Sequence, residues 1–214
     1  MVNTRVLFNM GKEEIMKVLI ACEYSGIVRD AFTRLGHDAW SCDILPTESE
    51  GNHYQDDVLN HLDEGWDMMI AHPPCTHLSV SGARWFTQGR KPMHLRIDAL
   101  NFVKKLMDAP ITKIAIENPI SVIASYIRKS DQLIHPYQFG EPVSKATCLW
   151  LKNLPKLKHT KVVEPKYVNS GTGRRWSKWF WETSCLPVKE RGKARSKFWR
   201  GIANAMAEQW GKEV

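Results

Sequence analysis

No apolar run in this 214-residue chain approaches 18 residues, so nothing in it reads as a membrane span. The opening stretch, MVNTRVLFNMGKEEI, carries charges on both sides of a very short apolar patch and does not read as a signal peptide. Cysteine is scarce. Cys22, Cys42, Cys75, Cys148 and Cys185 are odd in number and widely spaced, with no CxxC pair, which argues against a disulfide framework and against a zinc site. A reducing, cytoplasmic setting without a metal is therefore expected, and one of these thiols is free to do chemistry. A glycine-rich phosphate fingerprint is also missing, because the turn after the first strand holds only Gly26. There is no internal repeat and no low-complexity tract.

What is present has the balance of an ordinary globular chain, 43% hydrophobic and 25% charged, enough for a sizeable core in one domain or one domain plus a small lobe. The net charge of +7 is unevenly spread. Residues 152–197 hold 13 Lys or Arg against 3 Glu, whereas the remainder holds 17 basic and 20 acidic residues. Such a basic segment suggests a polyanionic partner, although a solvated basic face has the same composition.

Short apolar runs alternate with helical periodicity. KVLIAC (Lys17 to Cys22) reads as a buried strand and Ile27 to Leu35 as a helix closed by Gly36. Asp38 to Cys42, Trp66 to Ala71, Lys113 to Ile116 and Thr147 to Leu151 read as further strands, and Leu95 to Met107 and Trp199 to Trp210 as further helices. This alternation predicts an α/β fold with a doubly wound, mostly parallel sheet. The expected division is a leader over residues 1–16, a core over 17–151, a small irregular basic lobe over 152–197 and a returning helix over 198–214. In such sheets ligands bind at the carboxyl ends of the strands. The residues to watch are therefore Glu23 to Gly26, Asp43, Asp56-Asp57, His72 to Cys75, and Glu117-Asn118.

Glu23-Tyr24-Ser25-Gly26 forms a strand-to-helix turn that can bring backbone N–H groups to a ligand, or is simply a capped turn. Asp43 ends the second strand, where ribose hydroxyls can be accepted, and Asp57 can accept from an adenine amino group. Pro73-Pro74 hold Cys75 stiffly just past a buried strand, where a thiolate is a strong nucleophile. Cys22, Cys42 and Cys148, in or beside strands, read as inert core thiols. Ser79, Ser81 and Gly82 predict a mobile loop that closes on substrate. Glu117 ends a neighbouring strand. With its pKa raised by burial it can protonate a heterocycle nitrogen; otherwise it is an acid at the start of a helix.

These residues resemble the DNA cytosine carbon-5 methyltransferases. Pro73-Pro74-Cys75 and Leu78-Ser79-x-x-Gly82 match that family's Pro-Pro-Cys motif in order and spacing. Glu117-Asn118 match its Glu-Asn-Val, Asp56-Asp57-Val58 its Gly-Asp-Ile, and Ala203-Asn204-Ala205-Met206 its closing Gly-Asn-Ala-Val. Together the matches run from Val18 to Met206. The chain departs from the family in the first motif, where Ala21, Glu23 and Ser25 replace a Phe and two glycines, and at Thr76, which replaces Gln.

The resemblance implies S-adenosyl-L-methionine as cofactor, held by Glu23, Tyr24, Ser25, Gly26, Asp43, Ile44, Asp57, Val58, His72, Pro73 and Asn204. It implies that Cys75 attacks carbon 6 of cytosine, that Glu117 protonates the ring nitrogen, and that Lys145 stands in for an arginine beside the base. The expected partner is double-stranded DNA with a flipped cytosine. It would be contacted by Ser79, Arg84, Arg90 and Lys91 after the cysteine, and by Arg174, Arg175 and Lys178 in the lobe. The lobe's Trp176, Trp179, Phe180 and Trp181 read more as packing anchors than as base-stacking platforms. So short a lobe implies short or relaxed sequence specificity, and a monomer is expected. RNA as the substrate and a catalytically inactive nucleic-acid-binding relative stay open. An exocyclic-amine methyltransferase fits less well, because His72 and Cys75 stand where that chemistry needs other residues.

Overall fold

The computed structural model describes residues 14–212 except 170 and 172; most of the expected leader lies outside the described residues. The chain runs β1 (Lys17–Ala21), α1 (Ile27–Thr33), β2 (Asp38–Asp43), β3 (His53–Gln55), β4 (Met68–Ala71), α2 (Ala83–Thr87), α3 (Met93–Met107), β5 (Lys113–Pro119) and α4 (Ile123–Tyr126). It continues with β6 (Gln132–Ile134), β7 (Thr147–Lys152), β8 (Tyr167–Asn169), β9 (Arg175–Ser177), α5 (Lys178–Ser184), α6 (Val188–Ser196) and α7 (Arg200–Trp210).

The strands β1 to β7 form one seven-stranded sheet in the order β3-β2-β1-β4-β5-β7-β6. The pairs among β3, β2, β1, β4 and β5 are parallel, and only β7 runs against its neighbours β5 and β6. The fold is therefore a doubly wound, mostly parallel α/β sheet. Its strand order reverses between β1 and β4, which opens a crevice at their carboxyl ends.

Alternation along each strand divides the core into two layers. Val18 and Ile20 of β1 and Met68 and Ile70 of β4 face Val28 and Phe32 of α1 and Ile202, Met206 and Trp210 of α7. Leu19, Ala21, Met69 and Ala71 face the opposite way, toward Val103 and Leu106 of α3 and toward Trp150. Burial on both faces explains why β1 and β4 read as continuous apolar runs. α1 packs beside α7, which returns the end of the chain to the core.

The 152–197 segment is more regular than its sequence suggests. β8 and β9 form an antiparallel hairpin, and α5 and α6 follow it. Its order is built on stacked side chains rather than on hydrophobic alternation. Trp176 and Phe180 stack at 5.2 Å, with Arg174 4.5 Å over the Trp176 ring and Arg195 4.6 Å over Phe180. Among the described residues no helix is long and apolar enough to cross a membrane.

Candidate active site

β4 ends at Ala71 and the chain turns out through His72-Pro73-Pro74-Cys75. This turn is fastened at three points. The His72 N–H donates to Ala21 O at 2.9 Å, Asn118 Nδ2 to Pro73 O at 2.8 Å, and the Ser79 N–H to Cys75 O at 2.9 Å. Since neither proline has an N–H to give, Asn118 of β5 anchors the stretch by its carbonyl instead. Cys75 is thereby presented at the sheet edge as an exposed residue, as is Cys185, whereas Cys42 and Cys148 are buried.

Glu117 lies in β5, beside Ile116, which pairs with Ala71 across the sheet. It is buried, and its Oε2 is 3.1 Å from His72 Nδ1. An ionised carboxylate accepts, so Nδ1 carries the proton. Phe198 packs on the other side of His72, with ring centroids 4.5 Å apart.

The electrostatics tie a third residue to this pair. Burial pushes the Cys75 thiol above its ordinary value and the Glu117 charge adds to that, while Lys145 opposes both. On Glu117 burial works against ionisation. The hydrogen bond from His72, the His72 charge and Lys145 outweigh it, and the carboxyl lies below its ordinary range. The expectation of a carboxyl raised by burial is thus reversed, because His72 was not foreseen as its partner. Lys145, in the segment before β7, sits with its Nζ 5.4 Å from the Trp179 ring centroid, so α5 of the lobe reaches this corner. Cys75, Glu117 and Lys145 are brought together, and His72, expected in the cofactor group, is hydrogen-bonded to Glu117.

The β1 end is organised differently. Glu23 is buried and turned back onto α1, where its carboxylate accepts from the Val28 N–H at 2.8 Å, the Arg29 N–H at 3.2 Å and Ser25 Oγ at 3.1 Å. It caps the helix itself, so the turn does not offer those N–H groups to an anion. Gly26 has φ 71°, and a Cβ there would collide with Ser49 Oγ and the Arg29 guanidinium. The absence of a side chain there leaves room for Ser49 and the Arg29 guanidinium.

Arg29, which the sequence reasoning overlooked, is 1% exposed and stitches the 44–52 loop to α1. Its Nη1 donates to Ser41 Oγ at 3.2 Å, and its Nη2 to Ser49 Oγ at 2.6 Å and Glu50 O at 2.8 Å. Only its charge-bearing neighbour Asp30 could have hinted at a fixed guanidinium.

Asp43 and Asp57 both raise the Cys22 thiol, after burial, and so converge on the end of β1. Asp43 accepts from the Leu45 N–H at 2.9 Å and Asp57 from the Leu59 N–H at 3.0 Å, each a local turn bond that leaves oxygens to spare. Ile44 is 75% exposed and Leu45 adjoins it, an uncovered apolar face beside these acids. Val58 is buried in the α3-side core. Tyr24 reaches across to the lobe, its OH 2.9 Å from Ser196 Oγ. Asn204 lies elsewhere: it accepts from Arg34 Nη2 at 2.7 Å, on the α1-facing side of α7. The rotation of α7, set by burying Ile202, Met206 and Trp210, turns Asn204 to that side.

Of the residues expected at nucleic acid, Arg84 and Arg90 flank the Trp85 ring at 4.6 and 5.1 Å. Lys91 lies 5.7 Å from the Phe86 ring, and Arg175 lies 3.9 Å from the Tyr167 ring. Lys178 pairs with Glu182 at 3.7 Å on the surface of α5. Ser79 is engaged in a turn, its Oγ 2.8 Å from that of Ser81, and the loop is stitched to the next segment by Val80 N–H to Ile120 O at 3.2 Å. These bonds define the shape of the segment after Cys75 in this structure. Among the described residues no group of three His, Cys, Asp or Glu could hold a metal ion.

No family model matches the sequence. No curated protein matches it. The fold is similar to a solved putative DNA modification methyltransferase encoded within an E. coli prophage, at 13% identity over 70% of this chain and 52% of that one, with a TM-score of 0.42. It is also similar to the Entamoeba histolytica methyltransferase EhMeth, at 16% identity over 70% of this chain and 58% of that one, with a TM-score of 0.47. The chain thus spans between half and three-fifths of these two proteins.

Proposed function

We propose that the protein is an S-adenosyl-L-methionine-dependent methyltransferase that methylates carbon 5 of cytosine in DNA through a covalent Cys75 adduct. The observation that carries this is the convergence of the Cys75 thiol on its Pro-Pro loop, a buried His72–Glu117 pair and the Lys145 ammonium at one corner of the crevice. A thiol beside a carboxylate that holds the His72 Nδ1 proton suits conjugate addition to a pyrimidine. The thiolate adds to carbon 6, the His72–Glu117 pair delivers a proton to the ring nitrogen, and the Lys145 charge steadies the electron density pushed into the ring. Carbon 5, made nucleophilic, takes the methyl group. Loss of its proton to a base then expels Cys75 and restores the ring.

S-adenosyl-L-methionine supplies the electrophilic methyl group when bound. The β1 end suits it on chemical grounds. Asp43 and Asp57 keep acceptor oxygens for a ligand rich in donors and positive charge, and exposed Ile44 offers an adenine an apolar face. A dinucleotide fits worse, because Glu23 already occupies the helix N-terminus where a pyrophosphate would sit. Arg84 and Arg90 beside Trp85, with the basic lobe, would hold DNA phosphates around a flipped base.

The test is transfer of labelled methyl from S-adenosyl-L-methionine to a cytosine-containing duplex, beside Cys75→Ser. Label on carbon 5, absent from the variant, is the expected result. Transfer only to RNA would move the substrate. Label on an exocyclic nitrogen, or transfer undiminished in Cys75→Ser, would overturn the mechanism.

A further inference from the structure

α3 carries a buried cation that the chemistry above does not use. Arg96 is 5% exposed, and among the described residues no carboxylate forms an ion pair with it. Its Nε donates to His77 O at 3.4 Å, its guanidinium carbon lies 3.9 Å over the Phe86 ring, and its Nη2 has no hydrogen-bond partner among the described residues. His77 sits at the edge of the same ring, 6.1 Å between centroids, and its buried Nδ1 is likewise unpartnered. Lys91 completes the group, 5.7 Å from the Phe86 ring. Burial, and after it the Lys91 charge, hold the His77 imidazole below its ordinary value. Three nitrogen groups thus stand around Phe86, and among the described residues none of them forms an ion pair with an acid. A buried guanidinium without a counter-ion is costly, and the shortage is made good by an anion.

The position identifies the anion. His77 is two residues past Cys75, and the Leu78 and Ser79 N–H groups both donate to Cys75 O, so His77 and the thiol belong to one hydrogen-bonded turn, against which Arg96 packs through the His77 carbonyl. We propose that Arg96, His77 and Lys91 form a phosphate subsite that takes a backbone phosphate of the DNA strand bearing the target base. The inference rests on the DNA reading above. A guanidinium matches a phosphate's geometry with two parallel N–H donors. Filling the subsite locks the turn that carries Cys75 at the moment the strand is in place.

The test is binding of the full chain to a fluorescent cytosine-containing duplex, across roughly 50 to 200 mM salt. Arg96→Met keeps the apolar stem over Phe86 and removes the charge. It is expected to bind about tenfold more weakly, with a salt slope shallower by about one, while its melting temperature does not fall. Arg96→Lys should recover part of the affinity. If Arg96→Met is poorly folded, Lys91→Met must show the same loss of slope. An unchanged slope in a folded Arg96→Met protein overturns the subsite, even if methyl transfer to DNA stands. An Arg96-dependent slope in a protein that transfers no methyl group upholds the subsite and sinks the methyltransferase reading. A wild-type chain that binds no duplex overturns both. If inorganic phosphate alone raises the melting temperature of wild type but not of Arg96→Met, with the DNA slope indifferent to Arg96, the subsite serves a free phosphate and the backbone assignment falls.

Discussion

Glu23 and Glu117 are both buried acids at the carboxyl end of the sheet, one just past β1 and the other in β5, and they are bonded in opposite ways. Glu23 receives three donors from its own turn and helix, two of them backbone N–H groups. Glu117 receives one, from His72, a side chain whose other ring nitrogen is buried without a partner among the described residues. Asn118 beside Glu117 also has a buried, unpartnered Oδ1, and so does Thr147 at Oγ1 across the β5–β7 pair. A carboxylate saturated by backbone donors has little capacity left for chemistry, whereas an under-bonded one beside a thiol can exchange protons with a substrate. The Glu23 turn is finished as architecture, whereas the Glu117 corner keeps buried polar atoms without partners among the described residues.

Substitution of each acid by its amide tests that contrast most strongly. Glu117→Gln keeps the shape and removes the proton carrier, so the rate of methyl transfer at saturating DNA should fall about 10²- to 10⁴-fold with the melting curve little changed. Glu23→Gln should cost about 1–2 kcal/mol of stability and leave transfer by the folded fraction near wild type. Were a folded Glu23→Gln protein to lose cofactor affinity selectively, the turn would be facing the ligand after all, and the comparison would fail.

The same contrast extends to Arg29. Replacing it by Met removes a buried guanidinium that holds Ser41, Ser49 and the Glu50 carbonyl, leaving acceptors unanswered. A loss of about 3–4 kcal/mol in chemical denaturation is expected. Gly26→Ala should give about 2–3 kcal/mol by a different route, combining a left-handed backbone with intrusion on the same guanidinium. If Arg29→Met made Gly26→Ala cost almost nothing extra, the collision would be the larger part of the glycine's role.

These partners show what a sequence exposes and what it hides. Pro73-Pro74-Cys75 was legible because its stiffness is local, and β1 and β4 because burial on both faces leaves uninterrupted apolar runs. β3 and β6 span three residues each, too short for any period to register. Arg29 was missed because its partners at positions 41–50 are brought beside it only by the β2–β3 loop. Arg96 carries no sequence signal, because only the fold sets its guanidinium over the Phe86 ring. Asn204 was placed with the cofactor by motif alone, while the rotation of α7 turns it toward Arg34. Lys145, expected beside the base on the resemblance alone, lies just before β7 within electrostatic reach of both Cys75 and Glu117.

The smallest effect is the one that reads the Cys75 corner most directly. In a Cys185→Ser background, which removes the other exposed thiol, alkylation by iodoacetamide reports the thiolate fraction of Cys75. Burial first, and Glu117 second, hold this thiol above its ordinary value. The thiolate is therefore scarce at neutral pH, and the rate should climb close to tenfold per pH unit from pH ~7 until the raised value is passed. Removing the negative neighbour lowers that value, so Glu117→Gln should react about three- to tenfold faster at pH ~8 while losing methyl transfer. Removing the positive neighbour raises it, so Lys145→Met should react a few-fold slower. A merely local loosening would speed both variants. Equal changes in the same direction would therefore separate Glu117 and Lys145 from the thiol, and opposite changes would join all three in one field.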